Sequence, residues 1–162
     1  MKILALDQAS KTSGWSFYDN GELISYGHWT NEQADVPLRI YRLCEQMRSK
    51  VKECEPDLIV LENIQQEHGN VAMFQTLAWV QGALMMVAQE FGIKCELVYP
   101  SDWRSECGLL KGLPKDRASQ KRLAQAWVLE KFNKKCTQDE ADAICIGYSR
   151  RKQVGGGTIS FK

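Results

Sequence analysis

The sequence is poor in histidine, has no C-x-x-C pair and contains no unbroken apolar run of bilayer length. Its two His, His28 and His68, offer no metal-ligand spacing. The six Cys (Cys44, Cys54, Cys95, Cys107, Cys136 and Cys145) are scattered and lack the spacing of a zinc site. They are expected as buried or incidental thiols without a disulfide partner, as suits a reducing cytosol. Continuous apolar stretches stay below the roughly 18 residues of a bilayer span, so no membrane partner is expected. Asp7 interrupts the first apolar stretch too early for a secretory leader. Together these absences point to a cytoplasmic protein.

Net charge is only +1, but it is unevenly spread. Residues 101–135 carry nine Lys/Arg against four Asp/Glu, and residues 147–162 carry four Lys/Arg and no acid, which leaves the remainder at −8. Such segregation suits a polyanion partner, although solvated helix faces give the same pattern. The length of 162 residues and a hydrophobic content of 44% fit one domain with a real core. The domain is expected over residues 1–152, with 153–162 a flexible or docked tail.

Residues 2–6, 14–20 and 22–29 read as three strands, and Asp19-Asn20-Gly21 is a hairpin signal because Asn-Gly tolerates positive φ. Asp35 and Pro37 start a helix, Ile40, Leu43, Met47, Val51 and Cys54 form its apolar stripe, and Pro56 stops it. PDLIVLE (56–62) is a continuous apolar strand. The helix before it makes parallel pairing with the first strand the expected arrangement. Residues 71–91 form an apolar helix ended by Gly92, buried on several sides in the core or at a subunit contact. KCELVYP (94–100) is another strand, and residues 117–132 an amphipathic helix. The last helix opens with Thr137 and Glu140, a capping box, and carries Ala141, Ile144, Cys145 and Tyr148 on its apolar stripe. The order β-β-β-α-β-α-β-α-α describes an α/β domain with one mixed sheet.

Both buried-looking strands end in an acid, ILALD at Asp7 and DLIVLE at Glu62. If they pair in parallel, the two acids emerge at the same end of the sheet. Asp139 and Asp142, three residues apart, share a face of the last helix. Each has a bland alternative: a turn cap near Ser10 and Thr12 for Asp7, a strand-end surface acid for Glu62, dipole complementation for Asp139. Four such coincidences are a weaker account than one cluster. Clustered carboxylates need a cation or a raised pKa, and hard oxygen donors favour Mg²⁺ or Mn²⁺. Two such ions about 3.5–4 Å apart suit phosphodiester hydrolysis.

The pattern LALDQASKTSGW, then LIVLE, then DEADA resembles the RuvC-type Holliday junction resolvases, within the ribonuclease H-like nucleases. The ENIQQ…N…QG stretch adds to it, and the likeness runs along nearly the whole chain. It implies a ribonuclease H-like fold with a mixed five-stranded sheet flanked by helices, and a homodimer. It also implies a Mg²⁺-dependent crossover junction endodeoxyribonuclease with two ions per active site, Mn²⁺ substituting. Such an enzyme resolves four-way and other branched DNA by paired symmetric nicks leaving 5′-phosphates. Asp7 and Glu62 match the first two catalytic, metal-binding acids, and Asp139 and Asp142 the final pair. In this reading Asp7 bridges the ions, Glu62 and Asp142 complete the ligation, and Asp139 assists. Lys111, Lys115, Arg117, Lys121 and Arg122 fall where the family holds DNA. Asn70 and Gly82 match the long helix used in dimer contact and junction binding.

Gln65 stands near the place where the family typically has an aromatic wedge, with about one extra residue before Asn70. WRSECGLLKGLPKDRASQ also differs from the family pattern. These departures suggest a bacteriophage-type or divergent member, acting in a bacterial or phage-infected cytosol, with broader specificity. Trp103, in a basic loop, is a candidate for nucleic-acid contact, and His68 for contact with phosphate or a base. Trp15, Trp79 and Trp127 read as core. Alternatives are an RNA-processing nuclease of the same superfamily and a non-catalytic junction binder. The DQASKTSGW hairpin also resembles that of the actin-like ATPases and sugar kinases, which need two such domains.

Overall fold

Lys2–Asp7 (β1), Thr12–Asp19 (β2) and Glu22–Thr30 (β3) form the expected antiparallel meander. Asn20 and Gly21 turn the hairpin at φ of 47° and 86°. A computed structural model of the chain describes residues 1–65, 70–112 and 115–152. The expectations for His68 and for the tail at 153–162 lie outside the described residues. Val36–Cys54 (α1) starts where Asp35 accepts from the Leu38 N–H at 3.1 Å, and ends at Glu55 in the left-handed region (φ 46°) before Pro56.

Leu58–Glu62 (β4) returns parallel to β1, and Lys94–Val98 (β5) lies parallel to β4, so the sheet runs β3-β2-β1-β4-β5. Between β4 and β5 runs Val71–Glu90 (α2). After β5 come Pro100–Glu106 (α3), Arg117–Phe132 (α4) and Gln138–Arg150 (α5). α3 was expected as a loop. Pro100 at its first turn marks the start, but seven residues are too few for a periodic signal.

The central strands are apolar on both faces because helices cover both. Ile3, Ala5, Leu58 and Val60 pack with Trp103 of α3, Ala124 and Val128 of α4, and Ala141, Ile144 and Cys145 of α5. Leu4, Leu6, Ile59 and Leu61 pack with Leu43 and Met47 of α1 and Val80 and Leu84 of α2. Successive side chains alternate across the sheet. Asp7 therefore continues the Ile3–Ala5 face, and Glu62 the Leu58–Val60 face. Both belong to the α5 side.

α5 is buried along nearly its whole length, more than the expected stripe, whose Tyr148 is only half-buried. It lies close on β2 because small residues face it. Ser16 donates to the Ala143 carbonyl at 2.7 Å and Tyr18 to the Ile144 carbonyl at 2.9 Å. At its start, Gly14 touches the backbone of Asp139, where an added Cβ would overlap the carbonyl. Gly14→Ala must therefore push α5 away from the sheet. We expect a loss of about 1–3 kcal/mol in denaturant melts, and unchanged stability would show that α5 is free to shift.

α2 departs furthest from expectation. Only Val80, Leu84, Val87 and Ala88 are buried, while Val71, Met73, Trp79 and Met86 are exposed, Trp79 by 52%. Trp79 is thus not a core residue. By length and composition α2 could also cross a membrane. Counting unbroken apolar runs misses this, because Gln75, Gln81 and Gly82 interrupt the run without adding charge. Its buried stripe instead joins the core beneath the sheet.

Candidate active site

β1 and β4 stay in register to Leu6 and Leu61, which makes Asp7 and Glu62 the next residues along neighbouring parallel strands. α5 then crosses that end of the sheet with its first turns. Its Thr137–Glu140 capping box is formed in both directions, Thr137 Oγ1 accepting from the Glu140 N–H at 3.2 Å and Glu140 Oε2 from the Thr137 N–H at 2.8 Å. His28 Nδ1 lies 2.7 Å from Glu140 Oε1 and ties the cap to β3. The cap fixes the helix start and places Asp139 and Asp142 over the strand ends. Asp142 is buried, at 6% exposure.

The four acids feel one another. The Asp7 carboxyl is raised well above its usual range by burial, then by the charges of Glu62, Asp142 and Asp139, against the pull of Lys121. Burial also raises Asp142, with Glu62 adding to it, to about 7, while Lys121 and Arg104 oppose. Glu62 is raised by burial and drawn back by a hydrogen bond from Trp103 and by Arg104, Arg117 and Lys121. Like charges held together in a dry place each favour the proton.

Two of the four already hold partners. Trp103 Nε1 donates to Glu62 Oε1 at 2.8 Å, and Lys121 Nζ lies 3.4 Å from Asp139 Oδ1. Among the described residues, no three acidic, His or Cys side chains are arranged as a ready metal-binding group. The donor chemistry nonetheless fits a hard divalent cation. The donors are all carboxylates, burial raises Asp7, Glu62 and Asp142, neighbouring carboxylates add to this at Asp7 and Asp142, and Lys121, Arg104 and Arg117 oppose it only in part.

Trp103 is a correction. It sits on α3, not in a loop, and is 1% exposed, so its ring has no face to offer a base. The other expected DNA contacts are at the surface. Lys111 and Lys115 are exposed ahead of α4, and Arg117 opens α4. Arg122 donates to Ser119 Oγ at 3.1 Å. Lys121 reaches down to the acids and is only half-exposed. Gln65 is exposed just after β4, and Asn70 caps α2, accepting from the Met73 N–H at 3.1 Å.

The turn after Asp7 holds a feature that sequence alone did not reveal. Gln8, 5% exposed, donates through Nε2 to the Glu62 carbonyl at 2.6 Å and accepts from the Glu62 N–H through Oε1 at 3.1 Å. Its side-chain amide adds one more rung where the β1–β4 ladder ends. Ser13 closes the same turn, accepting from the Ala9 N–H and donating to the Ala9 carbonyl at 3.0 and 2.7 Å.

No family model matches the chain. A curated relative, the crossover junction endodeoxyribonuclease RuvC of Syntrophomonas wolfei, is 28% identical over 98 residues, 57% of this chain and 56% of that protein. The chain thus matches little more than half of that relative's length. Among solved structures, T. thermophilus RuvC in complex with a Holliday junction substrate superposes with a TM-score of 0.74 at 14% identity, covering 93% of this chain and 92% of that one. The fold is that of RuvC. Fowlpox virus resolvase, solved with Holliday junction DNA, follows at a TM-score of 0.57 and 14% identity, covering 94% and 97% of the two chains. The RuvC likeness therefore holds in sequence and, independently, across nearly the whole fold. The mixed five-stranded sheet with its flanking helices is a ribonuclease H-like fold.

Proposed function

We propose that the chain is a metal-dependent, structure-selective endodeoxyribonuclease that resolves four-way DNA junctions. The observation that carries this is the meeting of Asp7, Glu62, Asp139 and Asp142 on the α5 side of the sheet, where burial and then the neighbouring carboxylates raise Asp7 and Asp142. Asp7, Glu62 and Asp142 would hold Mg²⁺, with Asp139 assisting. When bound, the ion lowers the pKa of the attacking water and stabilises the leaving oxygen. Hydrolysis breaks the P–O3′ bond and leaves a 5′-phosphate.

The chain's own residues supply the setting. Lys121 stands beside Asp139, where it can pass from a carboxylate to a substrate phosphate. Arg104 and Arg117 also act on Glu62, and Lys111, Lys115 and Arg122 lie exposed before and within the first turns of α4. These residues track the DNA backbone, as sequence-independent phosphate contacts do. Gln65, polar where an aromatic wedge would stand, favours branched DNA recognised by shape.

Paired nicks require two active sites, and α2 offers the surface to bring two copies together. Trp79 lies with Pro37, Ile40 and Tyr41 of the α1 side around an open apolar groove of about 470 Å³. Trp79→Glu is expected to leave circular dichroism unchanged and to turn a dimer into a monomer by light scattering. A variant that stays dimeric would remove α2 from the interface.

The functional test is cleavage of a synthetic four-way junction in Mg²⁺ and in EDTA, beside a structured RNA. Symmetric nicks in the junction in Mg²⁺ alone are expected. Preferential cutting of the RNA would instead favour an RNA-processing nuclease, and binding without cutting in Mg²⁺ a junction-binding protein.

A further inference from the structure

Glu62 is held from two sides. Its backbone is clamped by the Gln8 amide, with both contacts at 2.6 and 3.1 Å. Its carboxylate accepts from the Trp103 indole at 2.8 Å. Neither partner can wander. Gln8 is 5% and Trp103 1% exposed. The indole belongs to the core packed beneath α5, and the Arg104 guanidinium lies 4.8 Å from its ring centre. Pro100 opens the short helix that carries the tryptophan. A strand-end glutamate has three rotatable side-chain bonds, so without such partners its oxygens would sample several positions.

We propose that Trp103 and Gln8 are positioning residues for Glu62, Trp103 committing Oε1 to the indole so that Oε2 is the oxygen offered to a divalent cation. This rests on reading Glu62 as a metal-binding acid. A ligating carboxylate is ordinarily fixed by an outer hydrogen bond of this kind. Here the donor is an indole, which cannot ionise, cannot accept and has only one N–H. It orients the carboxylate without competing for the cation.

The test uses the full chain and its Trp103→Phe variant, which keeps an aromatic ring and removes the N–H. Mn²⁺ binding is measured by titration calorimetry without DNA, and junction binding and thermal midpoint in EDTA. Mn²⁺ affinity is expected to fall roughly tenfold or more, with junction binding in EDTA unchanged. Cleavage should recover towards the wild-type rate at saturating Mn²⁺, since orientation and not ligation is lost. Wild-type Mn²⁺ affinity in the variant overturns the proposal. A wild-type protein that takes up no Mn²⁺ overturns the metal reading and the proposal with it. A second measurement needs no folded variant. In ¹H–¹⁵N spectra of the wild type, the indole signal of Trp103, one of five tryptophans, is expected to shift on adding Mg²⁺. A signal that stays fixed while the metal binds overturns the proposal.

Discussion

Asp7→Asn will bind a four-way junction as the wild type does and nick it more than about 100-fold more slowly. Loss of an outer hydrogen-bond partner alone costs a metal site roughly 10–100-fold, and burial and the charges of all three other acids, Glu62, Asp142 and Asp139, act on Asp7. An amide of the same shape keeps the packing at the end of β1 but gives up the anionic donor. The basic surface proposed to hold DNA around α4 is not touched, so affinity in EDTA is expected to stay. Gel-shift and cleavage assays on one junction separate the two effects. Normal cutting by the variant would mean that Asp7 is a structural acid and that the metal site lies elsewhere.

The second large effect concerns stability. In EDTA, the protein should lose stability as pH rises from about 4 to about 7. The Asp142 carboxyl titrates at 3.8 when exposed and at about 7 in the fold. Below pH 4 it carries its proton in both states and contributes no difference. Between the two values the unfolded chain releases the proton while the folded chain keeps it, so unfolding gains. Above about pH 7 the folded chain bears the buried charge, a cost on the order of 4 kcal/mol for this group alone. Asp7 and Glu62, also raised, act in the same direction. Asp142→Asn is therefore expected to flatten the pH dependence and to melt above the wild type at pH 8. Mg²⁺, which favours the ionised carboxylates, should stabilise the wild type far more at pH 8 than at pH 5. Urea melts at the two pH values, with and without EDTA, measure this. A wild-type slope equal to that of the variant would show that the Asp142 carboxyl is not held in a costly place.

Much of this site was legible from strand parity. Residues 3–6 and 58–61 are apolar at every position because helices cover both faces, and the first polar residue after each run falls where the sheet ends. The T-x-x-E cap located the start of α5, and with it Asp139 and Asp142. What escaped was non-local. Nothing around Gln8 announces that its amide will pair with a backbone 54 residues away. Trp103 sits in a helix of seven residues flanked by charge, which reads as a basic loop, and its acceptor is 41 residues distant. Trp79 follows the pattern of a buried helix, yet among the described residues no layer covers it. Periodicity reports that a residue is apolar, but not which molecule will cover it.

The anchoring of α5 has a consequence for the order of assembly. The helix is tied to β2 by Ser16 and Tyr18, whose partners lie 127 and 126 residues further along. Contacts of that separation close late, because the loop entropy they cost must be met before they form. A growing chain can thus build the hairpin, β4 and the helices between them while still lacking half of the acidic cluster. If the proposed nuclease reading holds, cutting would await the docking of α5, and a shorter nascent product would not be expected to nick DNA.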